Sequence, residues 1–159
     1  MSTLAVFLWL LLPAQDAALP QTPSALVGIW EGIQRTDQAG DCTLAGSGSQ
    51  RLQIAILVET DGSLRVERAG SSRDFDWTGR IGDGKVVFEV PNQARCDNAA
   101  GGSSTGPRTA RYSGAFPILK DGKRRLTLRG MEAPCPELGC RFHRTMILTW
   151  NGPLPARER

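Results

Sequence analysis

The chain has 159 residues, 22% of them charged and 40% hydrophobic, and carries a formal net charge of +3. That length suits one domain with its own core. The charge excess is too small for a nucleic-acid binder, which needs a clustered basic surface interleaved with aromatics, and aromatic residues make up 6% of the chain.

Residues 1–18 read as a signal peptide. Leu4 to Leu12 is an apolar run about half as long as a membrane-spanning helix requires. No Lys or Arg precedes it, so the α-amine alone supplies the positive end. Small residues follow, and cleavage is expected near 14–18, at Ala14, Ala17 or Ala18. No cysteine follows the run to carry a lipid anchor, and no other segment is long and apolar enough to span a bilayer as a helix. The implied localisation is export, to the periplasm or the extracellular space, with no membrane span after signal removal.

Residues 24–150 then parse into eight strands of alternating apolar and polar residues. They are Leu26–Thr36, Gln50–Glu59, Ser63–Ala69, Asp74–Ile81, Lys85–Val90, Arg108–Phe116, Arg124–Gly130 and Cys140–Trp150. The second places Leu52, Ile54, Ile56 and Val58 on one face, the fifth Val86, Phe88 and Val90, and the eighth Phe142, Met146, Leu148 and Trp150. Arg65, Glu67, Arg80, Glu89, Arg111 and Arg129 fall on the opposite faces, the pattern of an antiparallel sheet with one dry side. Asp-Gly turns follow the second, fourth and sixth strands: Thr60-Asp61-Gly62-Ser63, Gly82-Asp83-Gly84 and Lys120-Asp121-Gly122-Lys123. Asp-Gly between alternating runs marks a tight hairpin, because both residues tolerate positive φ. The other connections, Asp37–Ser49, Gly70–Arg73, Pro91–Pro107 and Met131–Gly139, then lie at the opposite end. The expected fold is all-β: a single eight-stranded antiparallel up-and-down barrel with one tight end and one loop-bearing end, closed to hide its edges. Residues 151–159 form a flexible C-terminal tail.

The four cysteines, Cys42, Cys96, Cys135 and Cys140, all belong to the loop-bearing end. An even number in an exported chain implies disulfides that brace this end. The preferred pairs are Cys42–Cys96 and Cys135–Cys140, and three connectivities remain open. Zinc would need paired short spacings, and only Cys135 and Cys140 are close, so no metal site is expected.

Leu26-Val27-Gly28-Ile29-Trp30 in the first strand and Arg144 in the last resemble the calycin superfamily, which includes the lipocalins. Such barrels open with Gly-x-Trp, matched by Gly28 and Trp30. An arginine of the final strand packs over that tryptophan, and Arg144 is the candidate. The Thr-Asp-Tyr element expected between strands six and seven of typical lipocalins is replaced by Phe116-Pro117-Ile118-Leu119-Lys120-Asp121. The resemblance is therefore to a divergent lipocalin-like barrel.

Candidate ligand contacts are the residues whose parity points them inward: Arg144, Arg68, Tyr112 and Trp77. A guanidinium on a dry face needs a partner, and for Arg144 that is either the Trp30 ring or a ligand carboxylate. Arg68 points toward the mouth or reaches water at its strand end. Tyr112 and Trp77 are core aromatics or pocket lining. His143, opposite in parity to Arg144, faces outward with no nucleophile or orienting group to make it a base. The Gly101–Gly106 stretch lacks the lysine and following helix of a phosphate loop and reads as a flap. No catalytic residue and no cofactor is expected. The chain reads as a binding protein for a small apolar ligand at the loop-bearing mouth. The alternative is a protein-interaction module with a filled barrel, a secreted inhibitor or envelope accessory.

Overall fold

The structure, a computed structural model, describes residues 17–40, 48–68, 77–97, 103–135 and 140–155. The strands among them are β1 (Ala17–Ala18), β2 (Gly28–Ala39), β3 (Gly48–Val58), β4 (Leu64–Arg68), β5 (Trp77–Gly82), β6 (Lys85–Asp97), β7 (Ser103–Ala115), β8 (Ile118–Lys120), β9 (Lys123–Cys135) and β10 (Cys140–Gly152). All pair antiparallel. β2 to β7 follow one another as neighbours, β7 continues to β9, β9 to β10, and β10 returns to β2. The sheet therefore closes into an eight-stranded up-and-down barrel, and the eight strands expected from the alternation are its eight staves.

The barrel is staggered. Pairing followed from Thr36 of β2 passes Arg144, Gly130, Tyr112, Phe88, Gly79 and Leu64 and arrives at Val58, beside the first turn. It starts near the loop-bearing end and finishes at the tight end, which is the strand tilt a closed barrel requires. Inward side chains form one apolar cluster that includes Trp30, Ile54, Ile56, Val66, Trp77, Phe88, Tyr112, Leu128 and Leu148.

The three Asp-Gly turns are of two kinds. Asp83 and Gly84 (φ 51° and 69°) and Asp121 and Gly122 (φ 53° and 71°) make two-residue turns with both central residues left-handed. That geometry matches the twist of the flanking strands. At the first turn only Gly62 is left-handed, at φ 82°. The Gly62 amide donates to the Glu59 carbonyl (3.0 Å), and the Glu59 amide donates to the Ser63 carbonyl (2.9 Å), which closes a three-residue loop. The Asp61 carboxylate accepts from the Ser63 amide at 2.9 Å.

At the tight end a single 3₁₀ turn, Pro23–Ala25, leads into β2, and Leu26 is fully buried. Glycine at position 28 has a specific cause: φ is +139°, and a Cβ there would meet the Trp150 indole nitrogen at 2.2 Å and the Gly152 carbonyl oxygen at 2.6 Å. The Trp30 indole donates to the Leu26 carbonyl at 2.7 Å and the Trp150 indole to Val27 at 3.2 Å. Both rings thus bury their bodies while satisfying their N–H groups.

Three expectations need correction. Residues 98–102 lie outside the described residues, and 91–97 and 103–107 are not loop: β6 and β7 stay paired as far as Asp97 opposite Ser103, as a two-stranded ribbon. Neither β5 nor β9 pairs with it beyond Glu89 and Arg111. Among the described residues neither outer edge of the ribbon is paired, and an unpaired edge is where a ladder tolerates proline. The sixth strand does not run straight into the third turn. β7 pairs with β9 through Ser113–Arg129, the register then slips by one residue, and β8 resumes with Ile118–Arg125. The bulge holds Phe116 and Pro117, both buried, and β8 also pairs with β1. Met131–Gly139 is strand as far as Cys135. The apolar run 4–12, Cys42, Phe75 and the last residues of the tail, 156–159, lie outside the described residues.

Candidate functional site

Toward the loop-bearing end, two buried polar side chains join the apolar inward ones. Gln34 of β2 and Glu132 of β9 are the buried polar residues among the described ones, at 3% and 5% exposure. Glu132 continues the parity of Leu126, Leu128 and Gly130 and so faces inward. β10 brings Arg144 opposite Gly130, and β7 brings Tyr112 opposite the same glycine. Gly130 is the spacer that lets both long side chains converge. A Cβ there would lie 2.4 Å from the Tyr112 ring and 2.5 Å from the Arg111 carbonyl oxygen.

The two side chains meet on Glu132. The Tyr112 hydroxyl donates to Oε1 at 2.7 Å, and Arg144 Nη2 pairs with Oε2 at 2.8 Å. The carboxylate thus receives one charge-assisted hydrogen bond on each oxygen, as a buried charge requires. Burial, reinforced by the Glu132 charge, pushes the Tyr112 phenol well above its ordinary range, while Arg144 opposes the rise only in part. The Tyr112 ring stacks on Trp77 at 5.4 Å and 17°, and the Arg144 guanidinium lies 6.0 Å from the Phe142 ring centre. Among the described residues Arg144 Nε is buried with no hydrogen-bond partner, although the side chain as a whole is 27% exposed. The cluster therefore has one donor to spare, beside the Phe142 ring.

Of the four inward residues proposed from sequence, Arg144, Tyr112 and Trp77 come together here. Arg68 sits opposite Ile54 in the β3–β4 register, and its side chain lies outside the described residues. Arg144 does not pack on Trp30. It pairs with Thr36, whereas Trp30 pairs with Trp150, three inward positions further along β10, so the two lie far apart along the same inner face. The arginine stacked on a tryptophan at the tight end is instead Arg124 of β9, 4.8 Å from the Trp150 ring centre. His143 is exposed, as its parity implies. Glu132 was missed because it fell in a segment taken as loop. The signal was present: two further steps of the Leu126–Leu128 alternation place an acid on the face that also carries Arg144.

Cys140 is buried and directly opposite Cys135 in the β9–β10 ladder, while Cys96 is opposite Ser104 at the same end of the molecule. Among the described residues no group of histidine, cysteine or carboxylate side chains is arranged to hold a metal ion, and no helix is long and apolar enough to cross a membrane. Compared with protein-family models, curated proteins and solved structures, the chain matches none.

Proposed function

We propose that this chain is an exported, divergent lipocalin-like barrel that binds a small ligand at its loop-bearing end, as a binding protein rather than an enzyme. The observation that carries this is the Tyr112–Glu132–Arg144 cluster toward the loop-bearing end, with the buried Arg144 Nε unpaired among the described residues. An unused buried donor is costly to leave unsatisfied, and a ligand acceptor would relieve it. The ligand therefore has an apolar body, suited to Trp77 and Phe142, and a carbonyl or carboxylate for Arg144. The preferred Cys135–Cys140 disulfide fits the ladder, since directly opposed residues have Cα separations of about 4.5–5.5 Å, within the span of a disulfide. Cleavage after Ala14 fits better than cleavage after Ala18, because it retains the β1 residues that pair with β8.

Native mass spectrometry of protein purified from its own source tests this. A co-purifying small molecule is expected, and it should be lost in Arg144→Lys, which keeps a cation beside Glu132 but removes the Nε donor. A stable partner protein with no small molecule would favour the second reading, an interaction module. That reading draws on the continuous apolar cluster from Leu26 to Tyr112, which fills the lower barrel.

A further inference from the structure

The outside of the barrel carries a second arrangement, unconnected with the mouth. Ile33 of β2 and Ile147 of β10 are directly opposed across the closing seam, both outward, and remain 45% and 42% exposed. Two β-branched apolar residues side by side on a wet face form a small apolar centre. Arginines surround it. Arg51 is opposite Ile33 in β3; Arg35 and Arg129 flank Thr145, the next outward residue of β10; Arg125 is opposite Thr149, the next in the other direction. Arg35, Arg51 and Arg129 are exposed and form no ion pair among the described residues, whereas Arg125 reaches Asp121 at 3.4 Å. Grooves lie on either side of the isoleucine pair. One groove of about 850 Å³ is lined by Glu31, Ile33, Arg51, Arg125 and Thr149, among others. A neighbouring groove of about 580 Å³, lined by Arg129, Ile147 and Ile118, shares Arg125 with it.

We propose that this outer face of β3, β2, β10 and β9 docks an acidic protein segment that lays an apolar side chain over Ile33 and Ile147 and sets carboxylates against Arg35, Arg51 and Arg129. Charge complementarity selects the occupant. Unpaired guanidinium groups match carboxylates in two-point geometry, and arginine around an apolar anchor is the usual composition of an interface centre. A second copy of the same chain would bring arginine against arginine. An anionic bilayer is too flat to follow the grooves on either side of the isoleucine pair. Docking here holds whether or not the mouth takes a ligand.

Isoleucine-methyl NMR of the full exported chain provides the test, with short synthetic peptides carrying leucine between aspartates as the probe. Binding should shift the Ile33 and Ile147 methyls and leave the core methyls of Ile54 and Ile56 in place. It should weaken steeply with salt. The Arg51→Glu/Arg129→Glu double variant, altered only at exposed positions, should bind at least about tenfold more weakly while keeping its fold by circular dichroism. The proposal fails if no peptide of the series moves either methyl, if peptides with lysine in place of aspartate bind equally well, or if phosphatidylglycerol vesicles occupy the face and the peptides do not.

Discussion

Replacing Glu132 by alanine should be among the most costly single changes in this barrel. The substitution leaves two groups without their partner: the Arg144 guanidinium, 2.8 Å from the carboxylate, and the Tyr112 hydroxyl, 2.7 Å from it. Removing one member of a fully buried ion pair costs about 3–5 kcal/mol, and a hydrogen bond to a charged group contributes about 1.5–3 kcal/mol. Because the Arg144 side chain is 27% exposed, water recovers part of its solvation and the lower end of the first range applies. The expected loss for Glu132→Ala is about 3 kcal/mol. For Glu132→Gln, where an amide oxygen still accepts from Tyr112 but the charge is gone, it is about 1–2 kcal/mol. The triple change Tyr112→Phe, Glu132→Leu, Arg144→Met removes every orphan at once and should stay within about 1 kcal/mol of the parent, since an apolar replacement of a whole buried cluster is often neutral. Urea unfolding followed by tryptophan fluorescence measures all three, and the Glu132/Arg144 double-mutant cycle isolates the coupling. A cost below about 0.5 kcal/mol for Glu132→Ala, or a coupling of zero, would refute the idea that this cluster is a buried, mutually dependent unit.

Tyr112 is the only tyrosine in the chain, so tyrosinate absorbance reports on it alone. Its folded pKa is raised above the ordinary 10.0, so its contribution to stability is intact below pH 10 and is lost as pH rises beyond that. The decline is at most about 1.4 kcal/mol per pH unit. Tyrosinate should appear only together with unfolding, and Tyr112→Phe should flatten the alkaline fall in stability; a phenol titrating near 10 in the folded protein would contradict this. Gly32→Ala should destabilise the closing seam by about 2 kcal/mol or more, because its Cβ would lie 1.9 Å from the Ile147 carbonyl oxygen, and thermal melts measure the loss. Asp61 is held below its ordinary 3.8 by the hydroxyl and then the amide of Ser63. Its small contribution is present above pH 3.8 and is lost as pH falls through the depressed value; carboxyl NMR should find that depression, and Ser63→Ala should reduce it. Thiol titration of the unreduced, unfolded exported protein should find no thiol at Cys135 or Cys140, and the Cys140→Ser variant should lose about 2 kcal/mol if that short loop is closed.

Several features of the fold are legible in local sequence because their causes are local. Strict alternation specifies a strand with one dry face, and Asp-Gly at positions needing positive φ specifies a hairpin. The order of those turns then divides the barrel into a tight end and a loop-bearing end. Less legible were the places where a residue type usually signals a break. Pro91 and Pro107 suggest a loop, yet they lie in a ribbon whose outer edges no described residue pairs with, so the missing amide costs no ladder bond there. Phe116-Pro117 suggested the end of a strand, yet it is a bulge after which pairing with β9 resumes. Misreading the end of β9 as loop hid Glu132.

The sequence by itself thus determined eight staves, the inward and outward sets of side chains, and the three turns at one end, since each depends on a few consecutive residues. The closed barrel decided the rest. Which inward residues meet depends on the register between strands and on the stagger round the barrel. That stagger carries Arg144 away from Trp30, sets it beside Glu132, and brings Tyr112 to the same carboxylate across Gly130. It also sets Ile33 against Ile147 on the outer face. A one-residue slip of β10 against both its neighbours would preserve every local pattern and abolish both arrangements.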